Sequence, residues 1–290
     1  MPRLEAILIL GWVVAGCCPA QFSGAGALEY TRKVVEFGPR PPGSKALSEL
    51  RGYLKKELRS LGWQMVEDRF TASTPLGLMA MENIMAFRRG KSGKAVVFTG
   101  HYDTKRMPGV HFVGANDGGS STGLLLELAR ALRRAQSRHD VYLVFFDGEE
   151  ALEHWSATDG LHGSRHLAAR WQREGKLERI EALINVDMIG DRELGILRET
   201  NSSRELVSLI WGVAADLGYG SRFLAEYGAI EDDHMPFVRL GVKACDLIDF
   251  DYGPGNQYWH SEEDTMDKLS AASLEAVGRV LLETLKRLER

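Results

Sequence analysis

Continuous apolar runs alternate with amphipathic segments along most of this chain. Residues 95–98, 141–146 and 182–186 are almost entirely hydrophobic, which is typical of interior strands that are covered on both faces of a sheet. Residues 64–71 and 81–88 are also predicted as strands. Apolar residues at helical spacing predict helices over residues 28–37, 45–61, 122–135, 163–171, 202–217, 232–239 and 269–288. This alternation favours a single α/β domain with a mostly parallel, twisted central sheet, helices on both faces and an early antiparallel hairpin.

The apolar run at residues 141–146 ends abruptly in a pair of adjacent acids, Glu149 and Glu150. Open α/β sheets bind their ligands at the carboxyl ends of such strands. Neighbouring residues there point in different directions, so one carboxylate can hold a metal while the other moves protons. The pair therefore predicts a catalytic site, provided that partners come from elsewhere in the chain.

Imidazoles and carboxylates do recur at the ends of other predicted elements. They are His101 and Asp187 after two buried strands, Asp117 at the start of a helix, and His260 in a Tyr-Trp-His-Ser segment. A single histidine or aspartate at a strand end is usually a cap or a surface group. Together with Glu150, however, these side chains form a set suited to Zn²⁺, which accepts nitrogen and oxygen donors and keeps a position open in catalytic sites.

Three predicted loops, residues 105–115, 152–161 and 250–258, adjoin these candidate ligands and are rich in glycine, proline and aromatic residues. Loops over the carboxyl ends of strands form the pocket wall in this architecture. Trp155 lies in the second loop and Trp259 directly follows the third. A loop tryptophan is often only a hydrophobic clamp, but two of them beside a metal site can enclose a small pocket.

The candidate ligands and their neighbours resemble the zinc aminopeptidase superfamily, through the strings His101-Tyr102-Asp103-Thr104, Asn116-Asp117-Gly118 and Glu149-Glu150, with Asp187 and His260. Three longer strings are similar to one branch of it, the glutaminyl cyclases of the animal type: FFDGEEA at 145–151, HWSATDGLHGSRHLA at 154–168 and EDDHMPFVRLGV at 231–242. The resemblance covers residues 28–290, which we expect to form the cyclase/aminopeptidase-like domain. The insertion that carries Trp155 is the best discriminator, because the corresponding interval is much shorter in ordinary aminopeptidases of the superfamily.

The resemblance implies a glutaminyl-peptide cyclotransferase, which converts the N-terminal Gln of peptides to pyroglutamate and releases ammonia. Zinc would be held by Asp117, Glu150 and His260, and Glu149 would shuttle the proton. The family match also assigns Asp187 and Asp232 to hydrogen bonds around the leaving group, and we expect Trp155 and Trp259 to bind the substrate.

The number of metal ions stays open at the sequence level. The cyclase branch resembles a one-zinc site, but His101 and Asp187 would supply a second site, with Asp117 as the bridge. The chain also departs from the animal cyclases, which carry a histidine at the position of Asp246.

Two other enzyme classes are alternatives. A secreted zinc aminopeptidase would use Glu149 to activate a metal-bound water. A serine hydrolase is suggested by the G-x-S-x-G string around Ser121, but that motif needs a strand directly before the serine, and residues 114–118 are predicted as a loop. A non-catalytic binding domain would require lost ligands, and all five candidate ligands are present.

Composition and the N-terminus place the chain among exported globular proteins. The 290 residues carry a formal net charge of −4 without a basic block, which argues against nucleic-acid binding. The apolar run 6–16 is too short to span a bilayer and has the proportions of a secretory signal, so residues 1–20 are predicted as a signal peptide. A lipoprotein signal ending at Gly16, with a lipid anchor at Cys17, is the alternative; the protein would be secreted, periplasmic or lipid-anchored. The remaining cysteine, Cys245, lies in an apolar stretch and is predicted to be a core thiol.

Overall fold

Eight strands and seven α-helices make up the computed structural model, which describes residues 21–290. The predicted signal peptide 1–20 and Cys17 lie outside the described residues. The strands are β1 (Gln64–Thr74), β2 (Gly77–Arg88), β3 (Ala95–His101), β4 (Asp140–Phe146), β5 (Ile180–Asp187), β6 (Ile196–Glu199), β7 (Phe223–Gly228) and β8 (Ala244–Ile248). The helices are α1 (Gly24–Val35), α2 (Lys45–Ser60), α3 (Gly119–Leu132), α4 (His162–Arg173), α5 (Arg204–Asp216), α6 (Met235–Val238) and α7 (Ala271–Leu288).

Six of the strands form one central sheet in the order β1-β2-β4-β3-β5-β8. The strands β4, β3, β5 and β8 run parallel to one another, whereas β1, β2 and β4 pair antiparallel. The mostly parallel sheet with an early antiparallel hairpin is therefore confirmed. The strands β6 and β7 form a separate parallel pair.

Helices cover both faces of the sheet, as the alternation of apolar runs predicted. Along β3, Val96 and Phe98 belong to the larger core, which includes residues of α1, α2, α3, α5 and α7. The intervening Val97 belongs to a second core, which includes residues of α4 and the Phe237 ring of α6. Successive strand residues point to opposite faces, so an unbroken apolar run is what a strand between two helical layers requires.

Several predicted boundaries are corrected. Helix α6 has only four residues instead of the predicted span 232–239, and Asp232 and Asp233 lie in the turn before it. Helix α1 begins at Gly24 rather than at residue 28, after an N-cap in which the Ser23 side chain accepts a hydrogen bond from Gly26 N. The strands β6, β7 and β8 were not predicted.

Two further sequence predictions concern burial. Cys245 is fully buried in the larger core as a free thiol, which confirms its prediction as a core residue, and burial raises its pKa. Within residues 21–290, we find no helix with the length and apolar character needed to cross a membrane.

Candidate active site

The side chains singled out from the sequence meet at the carboxyl ends of the parallel strands. His101 is the last residue of β3, Asp187 is the last residue of β5, and the Glu149–Glu150 pair follows β4. His101 is the register partner of Phe146, so the acidic segment that follows Phe146 begins beside the imidazole. Parallel pairing thus brings together residues that are far apart in sequence.

Asp117 reaches this edge through a close backbone approach at Gly118. Gly118 has a φ of 74°, and a Cβ on it would lie 2.6 Å from the Asp103 carbonyl oxygen and 2.9 Å from Cε1 of His101. Only glycine fits there, because both the backbone conformation and the space exclude a side chain. The tight turn brings Oδ1 of Asp117 to 3.2 Å from Nε2 of His101.

The donor atoms form two groups that share Asp117. In the first, Nε2 of His260 lies 3.2 Å from Oδ2 of Asp117 and 3.0 Å from Oε1 of Glu150. In the second, Nε2 of His101 lies 3.2 Å from Oδ1 of Asp117 and 3.2 Å from Oδ1 of Asp187. Within each group the donor atoms lie within 4.8 Å of one another. Each oxygen of Asp117 therefore faces a different group, as a bridging carboxylate would.

The donor set fits a divalent cation electrostatically and chemically. Burial lowers the pKa of His260, but contacts with Asp117 and Glu150 outweigh it and raise the pKa to about 9. Burial raises the pKa of Asp117, yet its contacts with His101 and His260 leave that pKa below its usual range. Oδ2 of Asp117 receives no well-aligned hydrogen bond from any described residue. A cation between Asp117, Glu150 and His260 would be stabilised by the two carboxylates. Carboxylate oxygen and imidazole nitrogen are also the donors that zinc accepts.

Glu149 is buried but lies outside both donor groups. Its Oε2 is 4.0 Å from Nδ1 of His101. Burial raises the pKa of the Glu149 carboxyl well above its usual range, and the charge of Glu150 adds to this effect while His101 opposes it. A buried carboxyl group with a raised pKa, beside candidate metal ligands, is a candidate proton carrier.

Two buried aspartates hold the backbone of the ligand segments, a role that the sequence analysis missed. Asp103 accepts hydrogen bonds from Glu149 N and Glu150 N, each at 3.2 Å. Asp264 accepts hydrogen bonds from Asn116 N at 2.7 Å and from Asp117 N at 3.1 Å. Asp103 stood in the family-like string His-Tyr-Asp-Thr, but no sequence pattern indicates which backbone amides a carboxylate will accept from.

Arg40 is a further residue that the sequence analysis missed. Its guanidinium is fully buried and donates to the carbonyl oxygens of Tyr102 at 2.9 Å and of Gly114 at 3.0 Å, and also to that of Val113. These bonds tie the segment after β3 to the loop that leads into Asp117. The only signal in the sequence was an arginine in a proline-rich turn.

Asn185 holds two acids together beneath the site. Its Nδ2 donates to Oδ2 of Asp232 at 2.9 Å and to Oδ1 of Asp246 at 3.0 Å, and its Oδ1 accepts from Thr99 at 2.7 Å. Burial and the charge of Asp187 raise the pKa of Asp232 to about 6, and burial raises that of Asp246 well above its usual range. Asp246 therefore belongs to a buried acid pair with Asp232.

One cavity of about 490 Å³ is lined by eight of the residues to which the sequence analysis assigned a role: Asp117, Glu149, Glu150, Trp155, Asp187, Asp232, Trp259 and His260. His101, the ninth, is not among its lining residues. The Trp259 ring stacks on His260 with centroids 3.9 Å apart, and Phe250 meets the same ring edge-on at 4.9 Å. Trp155 lies on the rim and is 43% exposed. Ile230 and Ile248 complete an apolar wall that the sequence analysis did not predict.

Ser121 is not placed as a nucleophile. It lies inside α3, and its hydroxyl donates to the His101 carbonyl oxygen at 3.1 Å. The segment before the helix is a turn rather than a strand, so the context of a nucleophile elbow is missing and the serine-hydrolase alternative is excluded.

Comparisons with known proteins agree with this geometry. The model of peptidase family M28 matches residues 83–285. A glutaminyl-peptide cyclotransferase from Drosophila melanogaster is 32% identical, over 91% of this chain and 84% of its own length. The crystal structure of an Acidobacteriales bacterium glutaminyl cyclase superposes with a TM-score of 0.90 at 39% identity, covering 99% of each chain. A Zn-dependent exopeptidase from Parabacteroides distasonis superposes with a TM-score of 0.84 at 26% identity, covering 92% of this chain and 99% of its own.

The mostly parallel sheet and the likeness to a Zn-dependent exopeptidase place this chain in the zinc exopeptidase-like fold class. Within that class, the similar relative from Drosophila melanogaster and the similar solved structure from an Acidobacteriales bacterium are glutaminyl cyclases. This chain belongs to peptidase family M28 and, within it, to the glutaminyl cyclases.

Proposed function

We propose that this protein is a glutaminyl-peptide cyclotransferase that acts on peptides with an N-terminal Gln. The observation that carries the proposal is the joint cavity, in which the candidate metal ligands and a separate buried glutamate lie against two tryptophans. In the reaction the α-amine of Gln attacks its own γ-carboxamide carbon. A C–N bond to the amine forms, the C–N bond to the amide nitrogen breaks, and ammonia leaves.

The candidate ligands Asp117, Glu150 and His260 would hold one zinc ion at the cavity floor. When bound, zinc supplies a Lewis acid for the γ-carbonyl oxygen of the substrate. His101 and Asp187 would supply a second site, because His101 contacts both Asp187 and the other oxygen of Asp117.

Glu149 would carry the proton that the reaction moves. Its carboxyl is buried, its pKa is raised, and it is a member of neither donor group, although it lies 4.0 Å from His101. It would accept a proton from the attacking amine and return it to the leaving nitrogen. Asp187 and Asp232 line the same cavity and would hydrogen-bond around the leaving ammonia.

Trp155 and Trp259 would fold the Gln side chain toward its own amine. The attacking α-amine is already tethered to the γ-carboxamide. The rate enhancement would therefore come from holding the two groups in a near-attack geometry, in a cavity from which water is excluded. The stacking of Trp259 on His260 couples this wall to the candidate metal centre.

A zinc aminopeptidase is the second candidate function. The observation in its favour is the retention of both donor groups with Asp117 between them, which is the inventory of a two-metal peptidase. The Drosophila melanogaster relative and the solved Acidobacteriales bacterium glutaminyl cyclase favour the cyclase.

One product analysis separates the two functions. An unblocked Gln-initiated peptide is incubated with the purified protein and followed by mass spectrometry. The cyclase reaction removes the mass of one ammonia and leaves the chain intact, whereas an aminopeptidase releases free Gln and a shortened peptide.

We also propose that the protein is exported. The support is the signal-like segment 1–20, with either cleavage after it or lipidation of Cys17 as the outcome. Mass spectrometry of the mature N-terminus distinguishes the two.

A further inference from the structure

A second cavity of about 380 Å³ lies beside the catalytic one, and no step of the proposed reaction uses it. Four residues line both cavities: Ala229, Ile230, Ile248 and Phe250. Leu197 of β6 and Leu224 of β7 form much of its remaining apolar wall. The two cavities therefore lie side by side and share these four wall residues.

The charges around this second cavity have one sign. Glu193 and Asp251 are exposed at it, and neither forms an ion pair with any residue of the part of the chain that the structure describes. Glu199 and Asp249 also line it but are buried and engaged with backbone and side-chain donors. Among the described residues, no lysine, arginine or histidine lines the cavity.

We propose that the second cavity is a specificity subsite for a basic side chain, lysine or arginine, at the position that directly follows the N-terminal Gln. This inference rests on the proposed function, because it takes the Gln itself to occupy the catalytic cavity. The next residue's Cα lies only about 3.8 Å from that of Gln, so its side chain is the one that reaches an adjoining cavity. Its aliphatic stem packs on the leucine walls while its cation faces Glu193 and Asp251.

The test compares three short peptides, Gln-Ala, Gln-Arg and Gln-Glu with a common remainder, and one with the arginine moved to the third position. The wild-type protein is expected to give a kcat/KM for the Gln-Arg peptide about three- to tenfold above that for Gln-Ala, carried by KM, because partly exposed ion pairs contribute modestly. The Gln-Glu peptide is expected to be poorer than Gln-Ala. The preference should shrink as salt is added, since exposed charges are screened.

The matched variant is Glu193→Gln combined with Asp251→Asn, which removes two exposed charges and keeps the side-chain shapes. It should cyclise Gln-Ala as the wild type does and lose the preference for Gln-Arg. Glu178→Gln combined with Glu205→Gln is the control, because it makes the same change in net charge with exposed residues that line neither cavity. The control variant should keep the preference.

Three results would overturn the subsite. They are equal kcat/KM for all peptides in the wild type, a preference for arginine at the third position, and a preference for Gln-Arg that survives in the matched variant. Failure of the proposed function looks different, because then no Gln peptide is cyclised at all. In that case calorimetric binding of the Gln-Arg and Gln-Ala peptides still decides the matter, since tighter binding of the basic peptide, lost in the matched variant, needs no turnover.

Discussion

Two adjacent carboxyl groups, those of Glu149 and Glu150, have different surroundings although they are neighbours in the chain. Glu150 lies 3.0 Å from His260 within a donor group, whereas Glu149 lies outside both groups; burial raises the pKa of both carboxyls. Asp103 holds both backbone amides and thereby fixes the two directions in which the side chains leave the chain. The proposed division between metal ligand and proton carrier depends on this arrangement.

Replacing Glu149 by Gln tests that division. The variant should keep its zinc content and fold while kcat falls by about 10²-fold or more, because the amide cannot carry the proton. Metal analysis and steady-state kinetics are run beside a Glu150→Gln variant, which should lose zinc. Loss of zinc in the first variant and retention in the second would mean that the two roles are exchanged.

The Trp259 ring offers a second test at the residue scale. Trp259→Ala removes the surface that stacks on His260 and should lower kcat/KM for Gln peptides by about tenfold or more, with zinc still bound. Trp155→Ala, on the exposed rim, should mainly raise KM. Unchanged kinetics in both variants, with zinc occupancy confirmed, would place the substrate elsewhere.

At the scale of elements, the loop between β4 and α4 depends on one buried side chain. Oδ1 of Asp159 accepts from Leu152 N at 2.8 Å, and Oδ2 accepts from Glu153 N at 2.9 Å and His154 N at 3.0 Å. These bonds fold the segment that presents Trp155 to the cavity. The sequence analysis predicted the loop and its tryptophan but not the carboxylate that shapes it.

Asp159→Ala should therefore act through Trp155. We expect KM for Gln peptides to rise about tenfold with zinc content preserved, and Asp159→Asn to recover part of the loss, because its single carbonyl oxygen can accept from only some of the three amides. The double variant with Trp155→Ala should be no worse than Trp155→Ala alone. Additive losses in the double variant would show that Asp159 acts on something other than the tryptophan.

The pair β6 and β7 shows where sequence patterns stop being informative. β6 has only four residues, and β7 has three consecutive exposed residues, Ala225, Glu226 and Tyr227, so neither has the length or alternation that predicts a strand. What holds them is tertiary: Glu199 accepts from Ile230 N, from Asn201 and from Ser202, and its Oε2 lies 3.2 Å from Nε2 of His234. The contacts with Ile230 and His234 join residues 31 and 35 positions apart in the chain, and contacts over such a separation leave no local signal in the sequence.

Glu199, at the end of β6, is expected to make the free energy of unfolding depend on pH. Burial opposes its charged form, but His234 and the backbone donors outweigh burial and lower the pKa from 4.5 to about 2. Since the folded-state pKa lies below the unfolded one, this stabilisation is present above about pH 4.5 and is lost as pH falls toward 2. Glu199→Gln should lower the free energy of unfolding at pH 7 by about 2 to 3 kcal/mol and flatten its acid dependence.

Urea denaturation of this variant at pH 7 and at pH 3 measures both effects. Glu226→Gln, on the exposed part of β7, is the control and should change neither value. An acid dependence equal to that of the wild type in Glu199→Gln would assign the lost stability to other carboxylates.

At the scale of the whole molecule, much of the site followed from the sequence because its chemistry sits at predictable ends of predictable strands. His101, Asp187 and the glutamate pair each follow a buried apolar run, and parallel pairing necessarily brings such ends to one edge. The contacts that support this carboxyl edge of the sheet could not be predicted from the sequence. Arg40 and Asp264 act on backbone groups, and the second cavity is built by strands without a sequence signature.

The central claim is that this fold uses zinc to cyclise N-terminal Gln, and one measurement tests it most directly. The protein is stripped with a heterocyclic chelator, reloaded with Zn²⁺ in one half of the sample, and both halves are given the same unblocked Gln-initiated peptide. We predict that only the reloaded protein removes the mass of one ammonia, with the peptide chain intact. Release of free Gln by the reloaded protein, or full cyclisation by the stripped protein, would contradict the claim.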